Sequence, residues 1–328
     1  MYITRTPLRI SLGGGGTDLP SYYKNSGGLV LSAAINKYIY ISINEPFTDN
    51  YILKYSKIEN QKKIIDINHP IIREILLEYG ENIPRIEITS AADIPAGTGL
   101  GSSSSFTVGL IKALHDFQNK KIIPFKLAEG ACNIELNKLR EPIGKQDQFI
   151  AAHGGIKVLK FNSNDSVEVS NLNINKEDIS QLEKRLHLYF TGITRSASEI
   201  LKEQDDKSLD NDKEMIRNLD FVKNIGFETI SCLEKGDITH MGKLMIEHWF
   251  YKKKRSKKMT NSNIDEIYDY AINNGALGGK LIGAGAGGFL MFLSDETKNL
   301  SESMREIGMK ELNFKFDQDG AKNIISET

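Results

Sequence analysis

Residues 94–106 read IPAGTGLGSSSSF, three glycines at alternate positions running into four serines. Gly97, Gly99 and Gly101 allow positive φ and close backbone approach to a ligand. Successive backbone N–H groups in such a loop line a concave anion site. Behind it, Phe106, Leu110, Leu114 and Phe117 recur on one face of a predicted helix. The N-terminus of that helix directs free amides and partial positive charge at the same place. Ser102, Ser103, Ser104 and Ser105 add hydroxyls for phosphate oxygens or a hydrated cation. The bland alternative is a flexible Gly/Ser turn; the flanking strand and amphipathic helix favour a phosphate cradle. It is not a Walker A loop, because Ser102 stands where that motif places lysine. Nor does this loop carry the Rossmann G-x-G-x-x-G. Phosphate charge must therefore be met by a metal or by residues from elsewhere.

Two further glycine-rich segments carry chemistry. In TPLRISLGGGGTDLP, Arg9 lies on a predicted strand and Asp18 follows four glycines. An aspartate can accept two hydroxyl hydrogen bonds of a polyhydroxylated ligand, and an arginine can neutralise developing charge. Each also has an ordinary reading, a surface charge and a turn former. GAGAGGF, 283–289, reads alone as a tight turn between strands or as a second phosphate contact, and the turn is the better reading.

The elements that must position these residues can be read from periodicity. Residues 3–12 form a strand leading into the GGGG turn, and in INKYIYISIN the isoleucines 35, 39, 41 and 43 mark a half-buried strand. RIEITSA is a strand feeding the cradle, 125–139 a helix, and GGIKVLKF another strand. The Asn/Ser/Asp-rich stretch 162–178 suggests a boundary, giving domains 1–178 and 179–328. The second half holds the strand RLHLYF, the loop TGITRSAS, helices over roughly 196–250, and a helix capped by Asn263 with Glu266 as capping-box partner. A glycine turn, an apolar strand and a short helix and tail follow. Strands and helices do not alternate regularly, so the fold class is α+β.

Composition bounds the partners. The 328 residues carry a formal net charge of -1, so no global field steers the protein to nucleic acid or an anionic membrane. Cys132 and Cys232 fit no metal spacing. No apolar run approaches the roughly 20 residues that span a bilayer, and the N-terminus lacks a signal-peptide layout. The expectation is a cytoplasmic protein.

The three glycine segments, in this order, resemble the motifs of the GHMP kinase family over nearly the whole chain. PAGTGLGSSSS is similar to its ATP-phosphate motif, TPLRISLGGGGTDLP to the sugar-kinase form of its first motif and GAGAGGF to its third. Gly15 and Gly16 stand where galactokinases carry Glu-His, which argues against galactose. GGGGTDLPSYY, GKQDQFIAAHGG, TGITRSAS and GGKLIGAGAGGF look like the sugar-1-kinase branch, which includes heptose 7-phosphate kinases and fucokinase domains. The resemblance implies a two-domain fold with its active site in the interdomain cleft, and ATP-dependent phosphorylation of an anomeric hydroxyl. It implies that ATP is held by Pro95, Gly97, Gly99, Leu100, Gly101, Ser102, Ser103 and Ser104, with Mg²⁺ on Ser102 and Glu135. The predicted helical neighbours of Glu135 are Ala128, Ala131, Cys132 and Leu139, a costly place for a bare carboxylate unless a metal or Lys138 compensates it.

By the motif match Asp147 takes the proton of the attacking hydroxyl, with Lys145 close enough to influence it; Arg9 stabilises the transferred group and Asp18, with Thr17 beside it, binds sugar hydroxyls. A phosphorylated sugar needs a cationic end to its pocket. Arg195 and the run 252–258, six basic residues in seven including Lys252, Lys254 and Arg255, are the candidates. The expected acceptor is a heptose 7-phosphate. A neutral-sugar kinase of the fucokinase type and a non-catalytic nucleotide- or sugar-binding protein are the alternatives, and a homodimer is compatible with all three.

Overall fold

The computed structural model describes residues 1–194, 198–210 and 212–326, with only the backbone of 198 and 199. Strand β1 (Tyr2–Gly13) and helix α1 (Pro20–Ser26) lead into the long strand β2 (Gly28–Asn44). Strands β3 (Tyr51–Lys54) and β4 (Ile58–Gln61), helix α2 (Pro70–Tyr79) and strand β5 (Glu87–Ala92) follow. Then come helices α3 (Ser102–Phe117), α4 (Pro124–Cys132) and α5 (Gln146–His153), and strands β6 (Ile156–Phe161) and β7 (Val167–Asn171). The remainder runs α6 (Lys176–Arg185), β8 (Leu186–Phe190), α7 (Ser198–Leu209), α8 (Lys213–Glu234), α9 (Ile238–Lys253) and α10 (Ser262–Asn273). It closes with β9 (Ala276–Leu281), β10 (Phe289–Ser294), α11 (Thr297–Glu306), β11 (Lys310–Glu311) and β12 (Lys322–Ser326).

Two sheets result, and the α+β reading holds. The first has the order β12-β1-β2-β5-β3-β4, and β2 is long enough to pair β6 with its first half and β5 with its second. Its isoleucines 39, 41 and 43 are buried while Tyr38, Tyr40 and Ser42 are partly exposed, the alternation expected of a strand covered on one face. The second sheet is β11-β8-β10-β9 and antiparallel throughout. The chain end returns to the first sheet: β12 pairs β1, so residues 2–171 do not complete that sheet alone.

Helices α3 and α5 pack on β1 and β2, and α8 also packs on these strands. One apolar core runs from the first sheet through Ile225, Leu233 and Met241 to Met291 and Leu293 on β10. A second core gathers Tyr189, Trp249, Ile264, Leu290 and Phe292 on the other face of β10. That strand is buried on both faces, which is why it reads as an unbroken apolar run.

Two local expectations change. The helix expected over 125–139 is α-helical only to Cys132; residues Asn133–Lys138 form a π turn, with Leu139 N–H donating to Ile134 O. The widened turn shifts Glu135 relative to the predicted apolar stripe. The cap of α10 is Asn261, whose side chain accepts from Ile264 N–H at 3.0 Å, rather than Asn263. The helix starts two residues earlier than expected, at Ser262, so Asn261 is the residue placed to satisfy an orphan amide of its first turn.

The turn 283–288 joins β9 to β10 and packs backbone against backbone on the loop 97–101. A Cβ at Gly283 (φ +74) would lie 2.6 Å from Gly99 Cα, and one at Gly99 (φ +78) 2.9 Å from Ile282 O. Both positions combine left-handed backbone with no room for a side chain. Gly283→Ala is therefore expected to destabilise by about 1–3 kcal/mol, read as a lowered Tm in a thermal melt. An unchanged Tm would contradict this packing.

Candidate active site

Strand β1 delivers Arg9 to the cleft between the two glycine loops and α5. Its backbone N–H donates to Leu100 O at 3.0 Å, tying the strand to the 97–101 loop. Its guanidinium donates from Nε to Asp147 Oδ1 at 2.7 Å, from Nη2 to Asp147 Oδ2 at 2.8 Å and from Nη1 to Gly99 O at 2.6 Å. This fork-to-fork pairing fixes both the rotamer and the plane of the carboxylate. Asp147 lies in the first turn of α5, where the helix favours negative charge. A Cβ on Gly101 (φ +78) would come within 3.0 Å of Asp147 Oδ2. Lys145 does not reach Asp147; its Nζ pairs with Asp165 at 2.9 Å.

Gly97, Gly99 and Gly101 all have positive φ, near +77 to +78, as the cradle reading expects. Gly101 begins α3 without a side-chain cap, so the first amides of a 16-residue helix are free to bind an anion. Gly97, Gly99, Gly101, Ser102, Ser103 and Ser104 line a cleft of about 730 Å³, together with Arg9, Asp18, Glu135 and Asp147. Pro95 and Leu100 do not line it: Pro95 O accepts from Thr98 Oγ1 at 3.1 Å, and Leu100 is fully buried, so both shape the loop. Ser105 is likewise structural, its Oγ donating to Pro7 O at 2.8 Å.

Glu135 is buried, and its carboxylate accepts from Ser103 Oγ at 3.1 Å and Gln148 Nε2 at 2.7 Å. Burial pushes its pKa up to about 7, against the lowering effect of these hydrogen bonds. Lys138 does not compensate it; its Nζ pairs with Glu78 at 3.1 Å. Asp18 is buried and lines the same cleft as Asp147, accepting from Gly16 N–H at 3.2 Å and Gln146 N–H at 3.1 Å. Burial, and then the charge of Asp147, raise its pKa above the ordinary aspartate value.

The other expected acceptor residues divide. Lys252 and Arg255 line the cleft, both buried. Lys254 does not; its Nζ lies 4.0 Å from the centroid of the Phe250 ring, over the outer face of α9. Thr17 is fully buried and outside the lining: its Oγ1 donates to Gly14 O and Leu29 O and accepts from Leu29 N–H, pinning the glycine turn to β2. Arg195 lies outside the described residues. Periodicity overlooked His248, Lys280 and Gln204, which also line the cleft. Lys280 had a legible signal, a lone lysine inside the apolar GGKLIG strand.

Among the described residues no helix is long and apolar enough to cross a membrane. Residues 67–155 match the GHMP kinases N-terminal domain, and 229–308 the GHMP kinases C-terminal model. A Campylobacter jejuni protein named D-glycero-alpha-D-manno-heptose 7-phosphate kinase is 34% identical, over 98% of each chain. An L-fucokinase/L-fucose-1-P guanylyltransferase of Bacteroides fragilis is 26% identical over 89% of this chain and 34% of its own. A crystal structure of a D-glycero-D-manno-heptose 1-phosphate kinase from Bacteroides thetaiotaomicron superposes with TM-score 0.82 and 27% identity over all of both chains. Identity sustained along nearly the whole of both chains, with both halves matched, makes this protein a sugar kinase of the ATP-dependent GHMP kinase family.

Proposed function

We propose that the protein transfers the γ-phosphoryl group of ATP to the anomeric hydroxyl of D-glycero-D-manno-heptose 7-phosphate. The product is the 1,7-bisphosphate, a precursor of nucleotide-activated heptose for surface polysaccharide, made in the cytoplasm. The observation that carries this reading is the pairing of Asp147 with Arg9, which also binds the glycine loop at Gly99 O, in a cleft that Asp18 lines as well. The names of the two heptose kinase relatives place the acceptor's phosphate differently, at position 7 and at position 1. A buried group of cations near Asp18 supports an acceptor that already carries a phosphate away from the reacting hydroxyl.

In this reading the loop 97–104 and the free amides of α3 bind the nucleotide phosphates. Asp18 accepts hydrogen bonds from sugar hydroxyls and orients the ring. Asp147 retains acceptor capacity beyond its two bonds to Arg9, enough to accept the anomeric O–H. As the oxygen attacks the γ-phosphorus, that proton passes to Asp147 and ADP leaves. Phosphoryl transfer asks mainly for positioning and charge stabilisation, and Arg9 has two N–H hydrogens left for the transferred oxygens.

The residues present fit Mg²⁺. Among the described residues Glu135, a buried carboxylate, has no cationic partner; it is hydrogen-bonded by Ser103 and Ser104 and lines the cleft with Ser102, an all-oxygen set that suits Mg²⁺ shared with phosphates. The bound ion would neutralise charge on the β- and γ-phosphoryl oxygens.

Asp147→Asn is expected to lower kcat by at least about 100-fold, the low end for a general base; steady-state turnover near the wild-type rate would contradict the assignment. Glu135→Gln is expected to raise the Mg²⁺ concentration for half-maximal activity at least about tenfold, about 1.4 kcal/mol. An unchanged Mg²⁺ titration would remove Glu135 from the metal site. ADP release across a panel of sugars and sugar phosphates tests the acceptor. A heptose 7-phosphate should lead fucose and the other neutral sugars, and fucose in the lead would overturn the choice.

A further inference from the structure

Four basic side chains line the cleft from the second domain match. His248 and Lys252 come from α9, Arg255 from the turn after it and Lys280 from β9. All four are at least nine-tenths buried, at 3%, 7%, 3% and 1% exposure. Among the described residues none of them forms an ion pair. Their partners are neutral: Lys252 Nζ donates to Leu281 O and Gly283 O, and Lys280 Nζ donates to Leu12 O and approaches His248 Nδ1 at 3.1 Å. Arg255 donates to Asn218 Oδ1 from Nε and to Gly15 O and Gln204 Oε1 from Nη1, while its buried Nη2 finds no acceptor. Each ammonium has three donors, so Lys252 and Lys280 each keep one hydrogen, and Arg255 Nη2 keeps two. Buried cations with spare donors and no counter-charge are costly unless a ligand supplies the charge.

The position selects the ligand. Lys280 and Arg255 bond to Leu12 O and Gly15 O, beyond Arg9 on β1. Leu12 lies three residue steps along the strand from Arg9, about 10 Å, with Arg9 bonded to the loop 97–101 and Asp18 just past Gly16. Lys280 and Arg255, with His248 on Lys280, therefore face the end of the cleft away from the hydroxyl at Asp147, while Lys252, bonded to Gly283 O beside the loop 97–101, lies nearer Arg9.

We propose that Arg255, Lys280 and His248 form a pocket for the remote phosphate of a sugar phosphate, and that the Lys280–His248 pair takes up a proton as the phosphate enters. This rests on the kinase reading above and names the residues that choose its substrate class. Burial first, then the neighbouring cations, lower the pKa of His248 and Lys252; burial and Arg255 bring Lys280 down to about 7. The other charged groups in reach are Asp18, which acts on Arg255, Arg9, which acts on Lys252, and Asp147 beside Asp18. Near and above pH 7 the free pocket thus holds fewer charges than donors. A dianion raises Lys280 back towards its ordinary range, so binding carries a proton with it. The sign follows: Lys280 is charged below about pH 7, and above it each pH unit weakens phosphate binding, up to about tenfold.

The test compares KM for heptose 7-phosphate and for the same heptose without phosphate, from about pH 6 to about pH 8.5, at least one unit either side of the value for Lys280. Arg255→Gln and Lys280→Met are expected to raise KM for the phosphosugar at least about 30-fold and for the free sugar far less, on the order of a few-fold. The KM rise above pH 7 should flatten in Lys280→Met and remain in the parent protein. Equal losses on both sugars, or a larger loss on KM for ATP, would overturn the proposal. Should Lys280→Met fail to fold, Arg255→Gln and Arg255→Lys carry the same comparison. A second measurement is independent of which sugar is used. With the nucleotide site saturated by AMP-PNP, inorganic phosphate should raise the Tm of the parent protein and not of Arg255→Gln. No phosphate stabilisation in the parent protein overturns the pocket. Stabilisation that needs Arg255, alongside no turnover of heptose 7-phosphate, supports the pocket and removes only the sugar.

Discussion

The Arg9 guanidinium is the point on which the site depends. One side chain binds the carbonyl of Gly99 and both oxygens of Asp147, while its own backbone amide binds Leu100. Strand, nucleotide loop and helix α5 are thereby set relative to one another by four hydrogen bonds from one residue. A partly buried ion pair adds little net stability once desolvation is counted, and its value lies in geometry. The chain supports it with backbone choices: Gly101 leaves room for Asp147, and Gly99 and Gly283 let two loops meet without side chains. β1 can present Arg9 rigidly because β2 pairs it there, Arg9 opposite Ala34, while its other edge is held by β12 at Tyr2–Arg5 and by Leu100 O at Arg9 itself.

Charge is distributed along the cleft so that each end lacks what a ligand brings. Among the described residues Glu135, beside Ser103, forms no ion pair, and neither do Lys252, Arg255 and Lys280, which line the same cleft. Burial pushes Glu135 up and Lys280 down, each towards its neutral form. Both shifts arise from the same cause, charge held out of water without its partner. Such sites reduce folded-state stability in exchange for binding, and they are where local rules of sequence are expected to break.

Much of this was legible in the sequence, for reasons that can be named. The cradle is local: positive-φ glycines, free amides and an amphipathic helix all fall within about two dozen residues of chain. The isoleucine alternation of β2 follows from one covered face. What was hidden needed three dimensions. The run 252–258 reads as one basic patch, yet α9 turns about 100° per residue, so Lys252 points into the cleft while Lys254 covers Phe250. Lys280 stands alone in an apolar strand and gains meaning only beside His248, thirty-two positions earlier. Thr17 sits next to Asp18 in sequence but faces the opposite way, into the β2 backbone. The π turn that sets Glu135 leaves no mark in a pattern read at 3.6 residues per turn.

The central claim is that Arg9 and Asp147 act as one unit. A double-mutant cycle on kcat/KM with Arg9→Met, Asp147→Asn and the double variant tests it most directly. The account predicts strong coupling, with the double variant little worse than Asp147→Asn alone. Losses that simply multiply would show that the two residues act independently, and would contradict it.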